Sequence, residues 1–273
     1  MHVPRKRFGQ HFLHDPGVIR RIVSSIDPKP SDRMVEIGPG LGAITVPLLA
    51  NLSSLDAVEI DRDAIRHLRE LPEAQGRLHI HEADVLDFEF GSLCSGGERL
   101  RIVGNLPYNI STPLLFRLID QREHIADLHV MLQKEVVQRM AAAPNTEHYG
   151  RLSVMLAPWL KVEPLFDIGP GAFRPPPKVV STFARLTPHL TSPISTEHPR
   201  QFAAVVAAAF SQRRKTLRNA LKPLLGQAQI QEAGIDPGAR AETVSAAQYA
   251  SLAALLAQDS DKPIDTSSPG SSS

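Results

Sequence analysis

The chain carries a single cysteine, Cys94, in 273 residues. An internal disulfide is therefore excluded, a cysteine-based zinc site lacks ligands, and the usage fits a reducing compartment. No run approaches the roughly 18–20 apolar residues of a membrane span. The N-terminal "MHVPRKRFGQHFL" is basic but lacks the apolar stretch of a secretory signal. Nor does one charge dominate: 30 basic and 29 acidic residues leave a net +1, so the overall balance names no partner. These absences lead us to expect a soluble protein of the cytoplasm with no membrane role. The length, with 42% apolar residues, is enough for one large domain and a small one.

What is present has an order. From about residue 15 to 135, short apolar runs alternate with helix-like stretches. "RMVEIG" (33–38), "LDAVEI" (55–60), "RLHIHEAD" (77–84), "LRIVGN" (100–105) and "DLHVML" (127–132) read as buried strands. Strands separated by helical segments point to an α/β fold with an open parallel sheet, which binds ligands at the carboxyl ends of its strands. Further on, "RLSVMLAPWL" (151–160) reads as a helix, and "KVEPLFDIG" and "STFARL" as strands around the rigid "FRPPPKVV" (173–180). Residues 188–199 read as a linker. Every periodic segment from 199 to 257 is helical, including "PRQFAAVVAAAFSQRRKTLRNAL" (199–221) taken as one run. We therefore expect a catalytic domain over 1–188, a small all-helical domain over 189–257 and a disordered tail over 258–273.

Two stretches carry chemistry. "VEIGPGLGAIT" (35–45) follows a strand and opens a helix, and Gly38, Gly40 and Gly42 let the backbone turn tightly beside a ligand. About twenty residues on, Glu59-Ile60-Asp61 ends the second strand, where a carboxylate can accept both hydroxyls of a ribose. Asp84 ends the third strand, placed to face an adenine amino group. Gly38, Gly40 and Ala43 satisfy the dinucleotide pattern G-x-G-x-x-G/A. Alternatively, Glu36, Gly38, Gly40 and Gly42 make the stretch the E-x-G-x-G-x-G loop of S-adenosylmethionine enzymes, a reading favoured by Glu36. The second stretch, Asn105-Leu106-Pro107-Tyr108, ends the fourth strand. An exocyclic adenine amine is a poor nucleophile because its lone pair is delocalised into the ring. The Asn105 side-chain carbonyl and the Leu106 main-chain carbonyl, the latter held extended by the proline, can accept its two N–H groups and free that lone pair. Tyr108 offers a flat face for the base, a contact worth about 1–3 kcal/mol. No metal is required, and the histidines show no third ligand beside His79 and His81.

In these motifs the chain resembles the ribosomal RNA adenine dimethyltransferases, most closely their small-subunit (KsgA) type. The resemblance also takes in "KRFGQHFLHD" (6–15), "GNLPYNIST" (104–112), "MLQKEVVQRM" (131–140), "YGRLSVM" (149–155), "FRPPPKVVST" (173–182) and "FSQRRKTLRNAL" (210–221). It implies a Rossmann-like class I methyltransferase sheet and S-adenosylmethionine as methyl donor. It implies as substrate two adjacent adenosines in the loop of the 3′-terminal hairpin of 16S rRNA, each dimethylated on N6 within the pre-30S particle. It implies a monomer with cofactor contacts at His11, Leu13, Gly38, Gly40, Glu59, Asp84 and Asn105, and Phe173 as a second face for the base. Many members have Asn where this chain has His11.

Arg213, Arg214, Lys215, Arg218 and Lys222 fall in an interval, Glu197 to Glu232, that holds no acidic residue. On one helix, Arg214 and Arg218 would share a face, an electrostatic footprint for RNA phosphates. Arg5, Lys6 and Arg7 make a second basic cluster. Three rival functions remain at this point: a resistance-type methyltransferase of large-subunit rRNA, an assembly factor that acts chiefly by binding, and a nicotinamide dehydrogenase. The triple proline and the intact "QRRKTLRNAL" speak against the first. The complete Asn-Leu-Pro-Tyr loop speaks against the other two.

Overall fold

The computed structural model describes residues 11–195, 197–212 and 214–260. In chain order the elements are β1 (Phe12–Leu13), α1 (Pro16–Ile26), β2 (Met34–Ile37), α2 (Thr45–Leu49), β3 (Leu55–Glu59), α3 (Arg62–Glu70), β4 (Leu78–Glu82), β5 (Leu100–Asn105), α4 (Ser111–Asp120), β6 (Ile125–Gln133) and α5 (Lys134–Ala141). They continue with α6 (Arg151–Leu156), β7 (Leu160–Ile168), β8 (Phe173–Arg174), β9 (Ser181–Pro188), α7 (Pro199–Ala209), α8 (Leu217–Ala220), α9 (Gln227–Glu232) and α10 (Ala246–Ser260). Among the described residues no helix is long and apolar enough to cross a membrane.

The chain divides into two compact units, residues 1–141 with 159–190, and residues 142–158 with 191–273. The first is built on a seven-stranded sheet in the order β4-β3-β2-β5-β6-β9-β7. β4, β3, β2, β5 and β6 run parallel, and β9 and β7 join antiparallel. Helices cover both faces, so the central strands are apolar along their length; all of β2 and β3 is buried. Strand order reverses between β2 and β5, and the crevice beyond their carboxyl ends is where such a sheet takes ligands. Gly104 lets these two strands close up: a Cβ there would stand 2.9 Å from the Ile37 carbonyl oxygen.

Helix α1 begins on the Asp15 side chain, which accepts the Val18 N–H at 2.9 Å. Its far end is tied to the sheet by Arg101, whose guanidinium donates to the Ile26 carbonyl at 2.7 Å and to Asp32 at 2.6 Å and pairs with Asp127 at 3.1 Å. Leu13, Ile22, Ile26, Leu48, Met131, Phe173 and Phe183 belong to one apolar cluster of this unit.

The second unit has its own core, in which Tyr149 and Val154 pack with Phe202, Val206, Leu217, Leu221 and Tyr249. The expected boundary at 188 placed residues 142–158 in the catalytic domain. The structure places them in the helical unit, because Tyr149 is buried there and donates its hydroxyl to the Val244 carbonyl at 2.8 Å. α6 stops at Leu156 and the chain is strand again from Leu160, so 151–160 is not one helix. Nor is 199–221. α7 ends at Ala209, Phe210 packs on Tyr149 and Tyr249, and residues 210–212 and 214–216 are non-helical before α8. Thr216 bridges to Arg240, and the Leu217 N–H donates to the Ala239 carbonyl at 2.9 Å. α10 continues to Ser260 and so takes in the first three residues of the expected tail, and 261–273 lie outside the described residues.

Candidate active site

Gly38 follows directly on β2 with φ 64°, a left-handed conformation that favours glycine. A Cβ there would meet nothing within 4 Å, so the loop borders open space. The next parallel strand supplies Glu59, which is 6% exposed. Its carboxylate accepts the Gly40 N–H at 3.2 Å and those of Ile60 and Asp61 at 2.9 Å each. Burial raises its pKa, and these three bonds offset part of that rise. Oε1 accepts two of these bonds and is filled, while Oε2 accepts only the Gly40 N–H and keeps capacity for one further donor. A second buried acid lies behind the loop: Glu36 accepts the Thr45 hydroxyl at 2.6 Å, and burial pushes its pKa up to about 7.

Asp84 is exposed just past β4; one carboxylate oxygen accepts the Leu86 N–H at 2.9 Å and the other has no partner among the described residues. The Ala83 N–H donates to the Glu59 carbonyl at 3.1 Å, which sets Asp84 beside the end of β3. Between Glu59 and Asp61, Ile60 is 48% exposed. The sequence reading passed over it. The signal was an apolar residue between two acids where the strand has already ended and no core face remains to bury it.

Asn105 closes β5, opposite Met131 of β6. Its Nδ2 donates to the His11 main-chain carbonyl at 2.9 Å. A carbonyl only accepts, so this bond fixes which way the amide faces and leaves Oδ1 as the open acceptor. The Leu106 N–H is held by the Met131 carbonyl at 3.2 Å, while the Leu106 carbonyl accepts nothing among the described residues. Tyr108 is anchored by its hydroxyl, 2.7 Å from the Ser181 hydroxyl, and burial raises its pKa. His11 stands 5.9 Å from Tyr108, ring to ring, and its Nδ1 donates to the Pro175 carbonyl at 2.7 Å. The Asn105 contact is thus made by the main chain at position 11 and does not depend on the side chain there.

The other expected residues divide. Leu13 and Phe173 pair across β1 and β8, with both side chains in the apolar core. Phe173 is 2% exposed, so the structure encloses the ring that was expected to present a second face to the base. Arg214, Lys215, Arg218 and Lys222 are exposed and form no ion pair among the described residues. They do not share one helix face: Arg214 and Lys215 lie in the turn between α7 and α8, Arg218 on α8, and Lys222 past its end. Arg5, Lys6, Arg7 and Arg213 lie outside the described residues.

A family model described as ribosomal RNA adenine dimethylase matches residues 1–258. A protein of Methylococcus capsulatus named ribosomal RNA small subunit methyltransferase A is 56% identical over 255 residues, 93% of this chain and 98% of that one. A relative of the same name from Pseudomonas aeruginosa is 50% identical over 257 residues, 94% and 96% of the two chains. Among solved structures, a dimethyladenosine transferase from Plasmodium falciparum superposes with a TM-score of 0.75 at 24% identity, covering 92% of this chain and 98% of that one. The 23S rRNA methyltransferase ErmE gives 0.69 at 24% identity, covering 90% and 100%. These two show that the fold is shared.

Proposed function

The chain belongs to the ribosomal RNA adenine dimethylase family, and we propose that it dimethylates N6 of two adjacent adenosines in the loop of the 3′-terminal hairpin of 16S rRNA, acting as a monomer on the small-subunit precursor. It is an rRNA methyltransferase whose methyl donor is S-adenosylmethionine. The small-subunit substrate is supported by the names of the relatives that match nearly end to end.

The open space beside Gly38 and the buried acceptor at Glu59 fit a cofactor with a ribose. Glu59 would accept a ribose hydroxyl on its open Oε2 site, Ile60 would lie against the adenine ring, and the open oxygen of Asp84 would accept the adenine amine. When bound, the cofactor supplies an electrophilic methyl group on a sulfonium, already activated. The chain's task is to present a nucleophile. Asn105 Oδ1 and the Leu106 carbonyl accept the two N–H groups of the target amine and draw the nitrogen toward a tetrahedral shape, with its lone pair released from the ring. Tyr108, fixed by Ser181, holds the base by its face. The proton leaves to water after transfer. The observation that carries this reading is the Asn105 amide locked on the His11 carbonyl, because it aims an acceptor before any substrate arrives.

The test is transfer of radiolabelled methyl from S-adenosylmethionine to purified small and large subunits lacking these modifications, with nucleoside analysis of the product. We expect N6,N6-dimethyladenosine in small-subunit RNA alone. Label confined to the large subunit would overturn the reading.

A further inference from the structure

The catalytic loop accounts for one adenosine, yet the proposed substrate has two side by side. A shallow groove next to the loop is lined by Gln133, Lys134, Glu135, Gln138, Val179 and Val180, all in the sheet-bearing unit. Its position follows from the register of the sheet. Asn105 lies opposite Met131, and Gln133 is two residues further along the same strand, about 7 Å on and pointing to the same face. Gln133 in turn pairs with Ser181, the residue that anchors Tyr108, and the Lys134 N–H donates to the Val180 carbonyl at 3.0 Å. The groove is therefore continuous with the platform for the target base.

Its chemistry is selective. Lys134 is neutralised by Asp167 at 2.6 Å and Glu135 by Arg139. The amides of Gln133 and Gln138 are half-buried and make no hydrogen bond among the described residues. Val179 and Val180 are 43% and 36% exposed, an apolar surface of the kind a flat ring covers. Arg174 and Lys178, on the same segment, are exposed cations with no ion pair among the described residues, suited to phosphate oxygens. A carboxamide can pair with the N6 and N7 positions of adenine through a donor and an acceptor together.

We propose that this groove is a subsite for the neighbouring adenosine, in which Gln133 and Gln138 read its N6–N7 edge while Tyr108 holds the base being methylated. The inference rests on the two-adenosine substrate proposed above. It makes the two glutamines specificity-determining residues for base identity at the adjacent position.

The experiment uses small subunits lacking the modifications and assembled on 16S rRNA that carries either both adenosines or one adenosine beside a cytidine or uridine. Wild-type protein is expected to methylate the lone adenosine about tenfold more slowly than one in the intact pair. Gln133→Ala and Gln138→Ala are expected to bring that ratio toward one. Gln138 lies on α5, beyond the end of β6, so its substitution tests the subsite even if Gln133→Ala disturbs that strand end. A wild-type rate indifferent to the neighbouring base, or variants that keep the wild-type ratio, would overturn the subsite while leaving the methyltransferase reading intact. Variants that lose particle binding equally for every neighbouring base would also overturn it, by showing that the groove meets a ribosomal protein. No methyl transfer by wild type to any substrate would instead remove the function on which the subsite rests.

Discussion

A single hydrogen bond decides which way the Asn105 amide faces, and it is accepted by a main-chain carbonyl 94 residues away. No sequence pattern announces such a partner. The residue types of the Asn-Leu-Pro-Tyr run are what carry the proposal of a holder for a planar amine; the bond that orients Asn105 has no counterpart in the sequence pattern. Glu59 was legible for a similar reason, as an acid at a strand end. It also clamps the glycine loop through the Gly40 N–H, which the spacing did not reveal. Glu59→Ala removes the acceptor for the ribose and the clamp together, so S-adenosylmethionine affinity measured by calorimetry is expected to fall at least about tenfold, as for loss of a hydrogen bond to a charged group. Phe173 shows the opposite failure. The "FRPPPK" resemblance implied the ring as a second face for the base, while its pairing with Leu13 across two short strands, a long-range fact, accompanies its burial. Glu36 gives a pH signature. In the unfolded chain its proton leaves near the usual 4.5, and in the folded protein burial holds it until about 7. Between those values the folded state carries the extra proton, so its stability falls as pH rises and levels off above the upper value. Glu36→Gln is expected to abolish this slope, which is on the order of 3 kcal/mol across the interval. Urea denaturation at several pH values checks it, and parallel profiles for the two proteins would count against a raised Glu36 pKa.

Elements were legible where burial is complete. β2, β3 and β5 are apolar because helices cover both faces of the sheet, and their order follows from alternation with helical segments. The close approach of β2 and β5 depends on Gly104, and an added methyl would meet a rigid carbonyl rather than a yielding side chain. Gly104→Ala is expected to cost about 1–3 kcal/mol in chemical denaturation, as overpacking does. It should also lower methyl transfer, since Asn105 is the next residue; a variant as stable and active as wild type would show that the strands have room to part. Helices in the second unit were less legible. The stretch 199–221 has helical composition throughout, and the break between the end of α7 and the start of α8 is accompanied by distant contacts, Phe210 packing on Tyr149 and Tyr249 and the bridge from Thr216 to Arg240. Local propensity contains neither contact.

At the scale of the whole molecule there are two units with separate cores; the second begins at residue 191, within the stretch whose composition reads as a linker, but it also takes in residues 142–158. Tyr149 and Val154 belong with helices that follow much later in the chain. The near-zero net charge conceals a local excess, since Arg214, Lys215, Arg218 and Lys222 are all exposed without ion pairs among the described residues. Removing Arg218 and Lys222 together should weaken binding to small subunits and lower the slope of log affinity against log salt by about 2, one for each phosphate no longer neutralised. An unchanged slope would mean that these cations face solvent in the complex. Only the intact protein on its particle separates holding RNA from acting on it, and there the central claim, that the Asn105 oxygen is aimed to release the amine lone pair, meets its most direct measurement. Binding and single-turnover methyl transfer are measured for wild type and Asn105→Ala on small subunits lacking the modification, at saturating S-adenosylmethionine. The account predicts binding within a few-fold of wild type and transfer slower by at least about a hundredfold, the scale seen when one preorganised hydrogen-bonding group is removed from an active site. Transfer at the wild-type rate, or a rate that falls only in step with binding, would contradict it.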